Sequence, residues 1–357
     1  MGTNLDLSDL NSGIGQVIMA GMPGPHLDDG TERLIQEYNI GGIILFSRNI
    51  QNPLQLAKLC QQLQDMALKC HGGPLFLAVD QEGGRVARLK EPFTLFEGNS
   101  ALGKSDRPAE KALEFGQTTA KEMKIVGLNM NLAPVVDVQR GDLEKHLAGR
   151  SFGEDPATVA LLGRTVIASL QENGVMAVAK HFPGLGRTSV DPHFQLPTID
   201  IDLEEMEAIN LPPFRAAVHE AVSGIMTSHA IYPAIDPENP ATLSSRILTG
   251  LLRDQMGFEG LIVTDDLEMG AIAKQQGVAE GACKAFQAGA DVLLVCKDQK
   301  NVVDSIRLLR NRLLEEEIKL GRLVQSLERI EETKSRFLRP FQKISTAEVR
   351  EYFRLTV

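Results

Sequence analysis

Eight apolar runs rich in valine, isoleucine and leucine recur along the chain, each bounded by glycine or polar turn residues. They are Gly15–Gly21, Gly41–Phe46, Pro74–Asp80, Leu128–Val138, Val175–Phe182, Ser223–His229, Gly260–Asp266 and Asp291–Cys296. The runs are continuous rather than alternating, which predicts strands covered on both faces and therefore a parallel sheet. Between them lie segments of helical period. Asn52-Pro53 is a start signal, and Leu56, Leu59, Cys60, Leu63, Met66 and Ala67 then share one stripe. A second helix is expected over Leu320–Leu338, with Leu323, Val324, Leu327, Ile330 and Phe337 on its buried face. Strands alternating with helices eight times predict an α/β fold, a single TIM-type (β/α)8 barrel. The structural competitor is a doubly wound sheet, but no G-x-G-x-x-G follows the first strand. No linker or low-complexity tract divides the sequence, so residues 1–357 are expected to form one domain. Gln342–Val357 reads as a helical tail packed on it.

Composition narrows the classes. The 357 residues are 43% hydrophobic and carry a formal net charge of −10, so a large core is available and no cationic field attracts nucleic acid. No run approaches the roughly 18 apolar residues of a membrane span. The opening MGTNLDLSDLNSG lacks a basic and then apolar leader, which predicts no secretory signal. Cys60, Cys70, Cys283 and Cys296 show no paired spacing and read as reduced packing residues. A cytoplasmic monomer without a membrane partner is the expectation.

Polar residues at the ends of the apolar runs change the picture from fold to chemistry. Asp80, Asp137, Lys180-His181, Ser228-His229 and Asp265-Asp266 all fall where barrel strands deliver side chains to the carboxyl-terminal face. Aspartate and serine there also serve as helix caps, which is the competing reading for each alone. His26, His71, His146 and His219 have no motif around them and read as ordinary histidines.

Six segments carry a resemblance: GGIILFSRNI (41–50), AVDQEGGRVARL (78–89), GLNMNLAPVVDV (127–138), GRSFGEDP (149–156), AVAKHFPGLG (177–186) and VTDDLEM (263–269). In this order and spacing the sequence resembles glycoside hydrolase family 3, in particular its compact NagZ-type β-N-acetylhexosaminidases. The resemblance implies a retaining glycosidase that removes terminal β-linked N-acetylglucosamine. Such an enzyme places a carboxylate under the anomeric carbon to form a glycosyl ester. Side chains alternate along LIVTDD, so one of the two aspartates is expected to face the pocket; the resemblance selects Asp265 and leaves Asp266 as a cap or supporting group. It also implies that a histidine, His193, replaces the usual acid/base carboxylate, oriented by Asp191. Imidazole suits donating and then accepting a proton near neutrality, although Asp-Pro-His alone also reads as a turn. For the sugar, the resemblance implies contacts from Asp80, Arg88, Arg150, Lys180 and His181, with His229 a further pocket residue. The competing reading for Arg88 and Arg150 is a structural ion pair. Cell-wall muropeptides are the implied substrate.

The loop after the fifth strand departs from the family's KHFPGHGDTxxDSH: Leu185 stands for histidine, Arg187 for aspartate and Pro192 for serine. Arg187 would repel a protonated His193 or meet an anionic substrate group. A neutral histidine base repels incoming phosphate less than a carboxylate does, which makes phosphorolysis a rival to hydrolysis, and Arg187 makes that rival worth testing. A sugar-binding barrel without activity is the rival from another class. No zinc spacing, P-loop or nucleophile elbow occurs, so no metal or cofactor is expected.

Overall fold

The computed structural model describes residues 7–141, 147–188 and 190–355; His146 lies outside them. Its centre is a sheet of eight parallel strands. They are β1 (Ile18–Gly21), β2 (Gly42–Leu45), β3 (Phe76–Val79), β4 (Met130–Asn131), β5 (Met176–Phe182), β6 (Gly224–Thr227), β7 (Leu261–Val263) and β8 (Leu293–Val295). Hydrogen-bonded neighbours run β7-β6-β5-β4-β3-β2-β1-β8. A parallel bridge between Val263 and Val292 joins the ends of that row, with Leu267 N donating to Leu294 O at 3.0 Å across the seam. The sheet therefore closes into a (β/α)8 barrel, and the doubly wound alternative falls because no open edge remains.

Each apolar run supplies one strand, buried along its length. Leu128–Val138 departs furthest, because only Met130–Asn131 is laddered and Val135 bridges Lys180 beyond it. Side-chain amides replace the missing ladder. Asn129 Oδ1 accepts from Leu77 N at 2.8 Å and its Nδ2 donates to Leu75 O at 3.0 Å. Asn131 brackets Gln81 N and O in the same way, both at 3.0 Å. Buried backbone groups of β3 are thus satisfied where the neighbouring strand is too short to do it.

Helices cover the outside, and their starts follow local chemistry. Asn52 accepts from Gln55 N to cap Pro53–His71, and Asp155 accepts from Thr158 N to cap Pro156–Glu172; both have proline at the first position, where the missing N–H costs nothing. The helix Leu320–Leu338 occupies the expected span, but its buried face is Leu323, Ser326, Ile330, Lys334 and Leu338. Val324, Leu327 and Phe337 are only half-buried. The polar pair reaches groups at the barrel floor. Ser326 Oγ donates to Asp291 Oδ1 at 2.7 Å, where Arg322 and Arg329 also arrive at 3.2 Å. Lys334 Nζ donates to Gln16 Oε1 at 2.8 Å. Beyond it, Thr346–Tyr352 forms a short helix, and the Phe353 ring packs 4.7 Å from that of Phe93. Cys60, Cys283 and Cys296 are buried, Cys70 is exposed, and all four are unpaired. Among the described residues no helix is long and apolar enough to cross a membrane.

Candidate active site

The carboxyl-terminal ends of the strands surround a cavity of about 550 Å³. Its base is an ionic cluster. Asp80 leaves β3, and the chain then folds into a small hairpin, Gln81–Gly83 against Val86–Ala87, which turns Glu82 inward and Arg88 back toward Asp80. Lys180 Nζ, on β5, lies 2.8 Å from Asp80 Oδ1 and 2.7 Å from Glu82 Oε1. Arg150 grips the same Glu82 twice, Nε to Oε2 and Nη2 to Oε1, both at 2.8 Å. Arg88 Nη2 reaches Asp80 Oδ2 at 3.3 Å, while its Nε is buried with no hydrogen-bond partner among the described residues. Burial alone would raise the Glu82 carboxyl, but Arg150 and Lys180 hold it far below the usual carboxylate range. Lys180 is pulled down by burial and, more strongly, held above an ordinary lysine by Asp80 and Glu82. Glu82 is the residue that reading strand ends missed; it sits in the hairpin, two positions past the run that ends in Asp80.

His181 forms the adjoining wall. Its Nδ1 bonds Asp137 Oδ2 at 2.8 Å, and Asp137 Oδ1 accepts from Leu185 N at 2.7 Å. One buried aspartate therefore fixes both the ring and the start of the following loop, which aims the other ring nitrogen away from Asp137. Ser228 does not line the cavity; its hydroxyl bonds Tyr232 Oη, which holds Gly184 O at 2.8 Å.

Asp265 and Asp266 both border the cavity, which corrects the expectation that alternation admits only one. β7 ends at Val263, so the pleat no longer governs the two aspartates. They differ in partners instead. Among the described residues Asp265 accepts from Asp266 N, at 2.8 Å. Burial raises its carboxyl, but the His229 and His181 rings, that N–H and Lys180 together hold it below the ordinary range. Asp266 accepts from Glu268 N at 3.1 Å and Cys296 N at 3.3 Å, and burial pushes it up to about 6. It braces the turn after the strand.

His229, expected in the pocket, stands behind its wall. Nε2 donates to Asp266 O at 3.0 Å and Nδ1 pairs with Thr242 Oγ1 at 2.7 Å. Burial lowers its pKa and the Asp265 charge opposes this, and the ring fixes backbone beside Asp265.

The loop after β5 brings Asp191 and His193 together. Asp191 Oδ1 lies 2.7 Å from His193 Nδ1 and accepts His193 N at 2.9 Å. His193 borders the cavity with its side chain about half exposed (54%). Backbone bonds dock this loop on the start of the helix Gly270–Gln276, which follows the aspartate pair: Gly270 N donates to His193 O at 3.0 Å and Ala271 N to Pro192 O at 3.1 Å. A side chain at Gly270 would meet His193 O at 2.7 Å. Leu185 and Pro192 line the cavity, whereas Arg187 turns outward to pair with Glu205. It is not among the described residues that line the cavity, so nothing in the described geometry favours phosphate binding at Arg187. At the mouth stand Arg48, Arg85 and Lys297, with Phe46 beneath Arg48. Among the described residues no group of three or more His, Cys, Asp or Glu could hold a metal ion.

An ionised carboxylate in a cavity at the mouth of a closed barrel, with a histidine paired to aspartate beside it, agrees with what comparison finds. Residues 9–339 match the Glycosyl hydrolase family 3 N terminal domain. A beta-hexosaminidase of Nitrosomonas eutropha is 38% identical over 266 residues, covering 72% of this chain and 74% of that protein. Beta-hexosaminidase A of Pseudoalteromonas piscicida is also 38% identical, over 73% of this chain, but the chain spans only 46% of its length. Among solved structures, a glycoside hydrolase family 3 beta-N-acetylglucosaminidase from Paenibacillus superposes with a TM-score of 0.90 at 38% identity, covering 96% of this chain and 67% of that one. NagZ from Neisseria gonorrhoeae, solved with N-trifluoroacetyl-D-glucosamine, superposes with a TM-score of 0.75 at 30% identity, covering 88% and 97%. The chain belongs to glycosyl hydrolase family 3 and carries that family's glycosidase barrel.

Proposed function

We propose that this protein is a retaining exo-β-N-acetylglucosaminidase. The carrying observation is Asp265, ionised in the cavity, with the Asp191–His193 pair at the cavity's lip. Asp265 attacks the anomeric carbon while His193 donates its proton to the glycosidic oxygen, so the C1–O glycosidic bond breaks, the leaving group departs and a glycosyl ester remains on Asp265. Water then enters, His193 removes its proton, and the ester opens with net retention. Asp191 orients the ring and stabilises its cationic form. The other carboxylates of the cavity suit the acid's role less well, because Glu82 is locked ionised by two cations and Asp266 stands beside the nucleophile.

Asp80, Arg88, Arg150, Lys180 and His181 bind the hydroxyls and amide of the sugar before the scissile bond. His229 acts from behind the wall. The beta-hexosaminidase relatives, the Paenibacillus beta-N-acetylglucosaminidase and the N-trifluoroacetyl-D-glucosamine bound in the gonococcal NagZ support the choice of sugar. Arg48, Arg85 and Lys297 at the mouth favour an anionic leaving group, as in N-acetylglucosamine joined to anhydro-N-acetylmuramic acid. The finer reading is a cytoplasmic monomer acting on recycled cell-wall fragments without a cofactor.

The test is nitrophenol release from a β-N-acetylglucosaminide by wild type, Asp265→Ala and His193→Ala. Wild type turns over, Asp265→Ala is inactive, and His193→Ala loses about 10²–10⁴-fold. A wild-type enzyme inert on this and related sugars, with or without phosphate, would overturn the proposal in favour of a binding protein.

A further inference from the structure

Glu82 is buried to 2% of its side-chain surface, and both its oxygens face cations rather than open cavity. Oε1 meets Lys180 Nζ at 2.7 Å and Arg150 Nη2 at 2.8 Å, and Oε2 meets Arg150 Nε at 2.8 Å. Lys180 is itself buried to 2%, and its second carboxylate among the described residues is Asp80, at 2.8 Å. Asp80 must also serve Arg88 at 3.3 Å. Asp80 joins Lys180 to Arg88, and Glu82 joins Lys180 on β5 to Arg150 on the loop after β4. Those two side chains reach the same place through it.

We infer that Glu82 is a positioning residue for the sugar-binding base of the cavity: its charge holds Lys180 and Arg150 at the spacing that receives the N-acetylglucosamine ring. This rests on the glycosidase reading above. Glu82 itself neither attacks nor transfers a proton. A cation held between two acids is presented with its remaining N–H bonds aimed, at little further cost in ordering when the sugar arrives. With Glu82 neutral, the carboxylate that bridges Lys180 and Arg150 is lost, and the two buried cations repel. Lys180 then loses one of the two charges that keep it protonated despite burial.

The experiment measures kcat, KM and their pH dependence for wild type, Glu82→Gln and Glu82→Asp on a nitrophenyl β-N-acetylglucosaminide. Free N-acetylglucosamine serves as competitive inhibitor, and thermal melting reports folding. Loss of binding shared by ground and transition states raises KM about tenfold or more in Glu82→Gln, with kcat changed less than about threefold. The inhibition constant rises with KM. The variant's kcat/KM also gains a further alkaline fall beyond the limb that His193 gives both enzymes, because Lys180 gives up its proton earlier. Glu82→Asp keeps the charge and shows a smaller change in the same direction, without the new alkaline limb. Unchanged KM and pH profile in folded Glu82→Gln would overturn the inference, as would a lowered kcat with unchanged KM, which is what loss of folded enzyme alone produces. Where Glu82→Gln does not fold, Glu82→Asp decides: unchanged KM and inhibition constant refute the role. An inert wild type defeats the glycosidase reading instead, so the two failures are distinct.

Discussion

Asp265 and Asp266 are adjacent in sequence, border the same cavity and differ in electrostatic surroundings. His229, His181 and Lys180 surround the first, which stays ionised below the usual carboxylate range; burial beside Glu268 pushes the second up to about 6. Asp266 spends one oxygen on Glu268 N and Cys296 N, bonds that an amide oxygen also accepts. Asp266→Asn is therefore expected to keep kcat within about tenfold of wild type, whereas Asp265→Asn loses about 10³-fold or more, because no nucleophile remains. Steady-state rates on a nitrophenyl substrate check this, and a larger loss in Asp266→Asn would exchange the roles. Residue identity reached most of this site from sequence, since strand-end positions and family motifs marked Asp80, Lys180, His181 and Asp265. Glu82 stayed hidden because a two-residue displacement into a hairpin removes it from the strand-end rule. His229 was misplaced for a related reason: a strand end fixes the height of a residue in the barrel, not whether its side chain faces the cavity or the hydroxyl of Thr242.

Elements, not single residues, set the distance between His193 and Asp265. The loop bearing Asp191 and His193 is docked by two backbone bonds on the start of Gly270–Gln276, just after the aspartate pair. Gly270 permits this approach because any Cβ would lie 2.7 Å from His193 O and 3.0 Å from Phe194 O. Gly270→Ala is expected to undock the loop, lowering kcat about 10- to 100-fold, with less effect on a dinitrophenyl substrate whose leaving group needs no proton. Equal loss on both substrates, or none, would show that docking does not position His193. The barrel itself was legible because continuous apolar runs mark buried parallel strands. Two details were not. The asparagine amides that finish β4 leave no signature in hydrophobicity. Apolar period also named Val324, Leu327 and Phe337 on the last long helix while Ser326 and Lys334 take the buried places, because their polar tips find partners at the barrel floor.

Across the whole molecule the two ends of the barrel divide the work. Chemistry-bearing groups gather at the carboxyl-terminal mouth, while the opposite floor is knit by Asp291 with Arg322, Arg329 and Ser326. Lys334 belongs to that floor, its Nζ between Gln16 Oε1 at 2.8 Å and the Phe76 ring at 4.9 Å. Burial lowers its pKa to about 7, with Glu331 opposing and Arg339 assisting. Between that value and about 10.4, the ordinary lysine value, the unfolded chain holds a proton the folded one has released. Stability contributed here rises with pH through this window, and the cost of burying the charge is full below about 7. Lys334→Met is expected to raise the melting temperature most near pH 6 and least near pH 10, without altering KM. A gain independent of pH would refute titration of Lys334.

The most direct measurement is mass spectrometry of the protein after reaction with a slow 5-fluoro analogue of an activated β-N-acetylglucosaminide. A covalent sugar on the peptide containing Asp265, absent from Asp265→Ala and accumulating further in His193→Ala, is the predicted result. Turnover with no adduct and an inverted product, or an adduct on Asp266 or Asp80, would contradict the assignment of Asp265 as nucleophile.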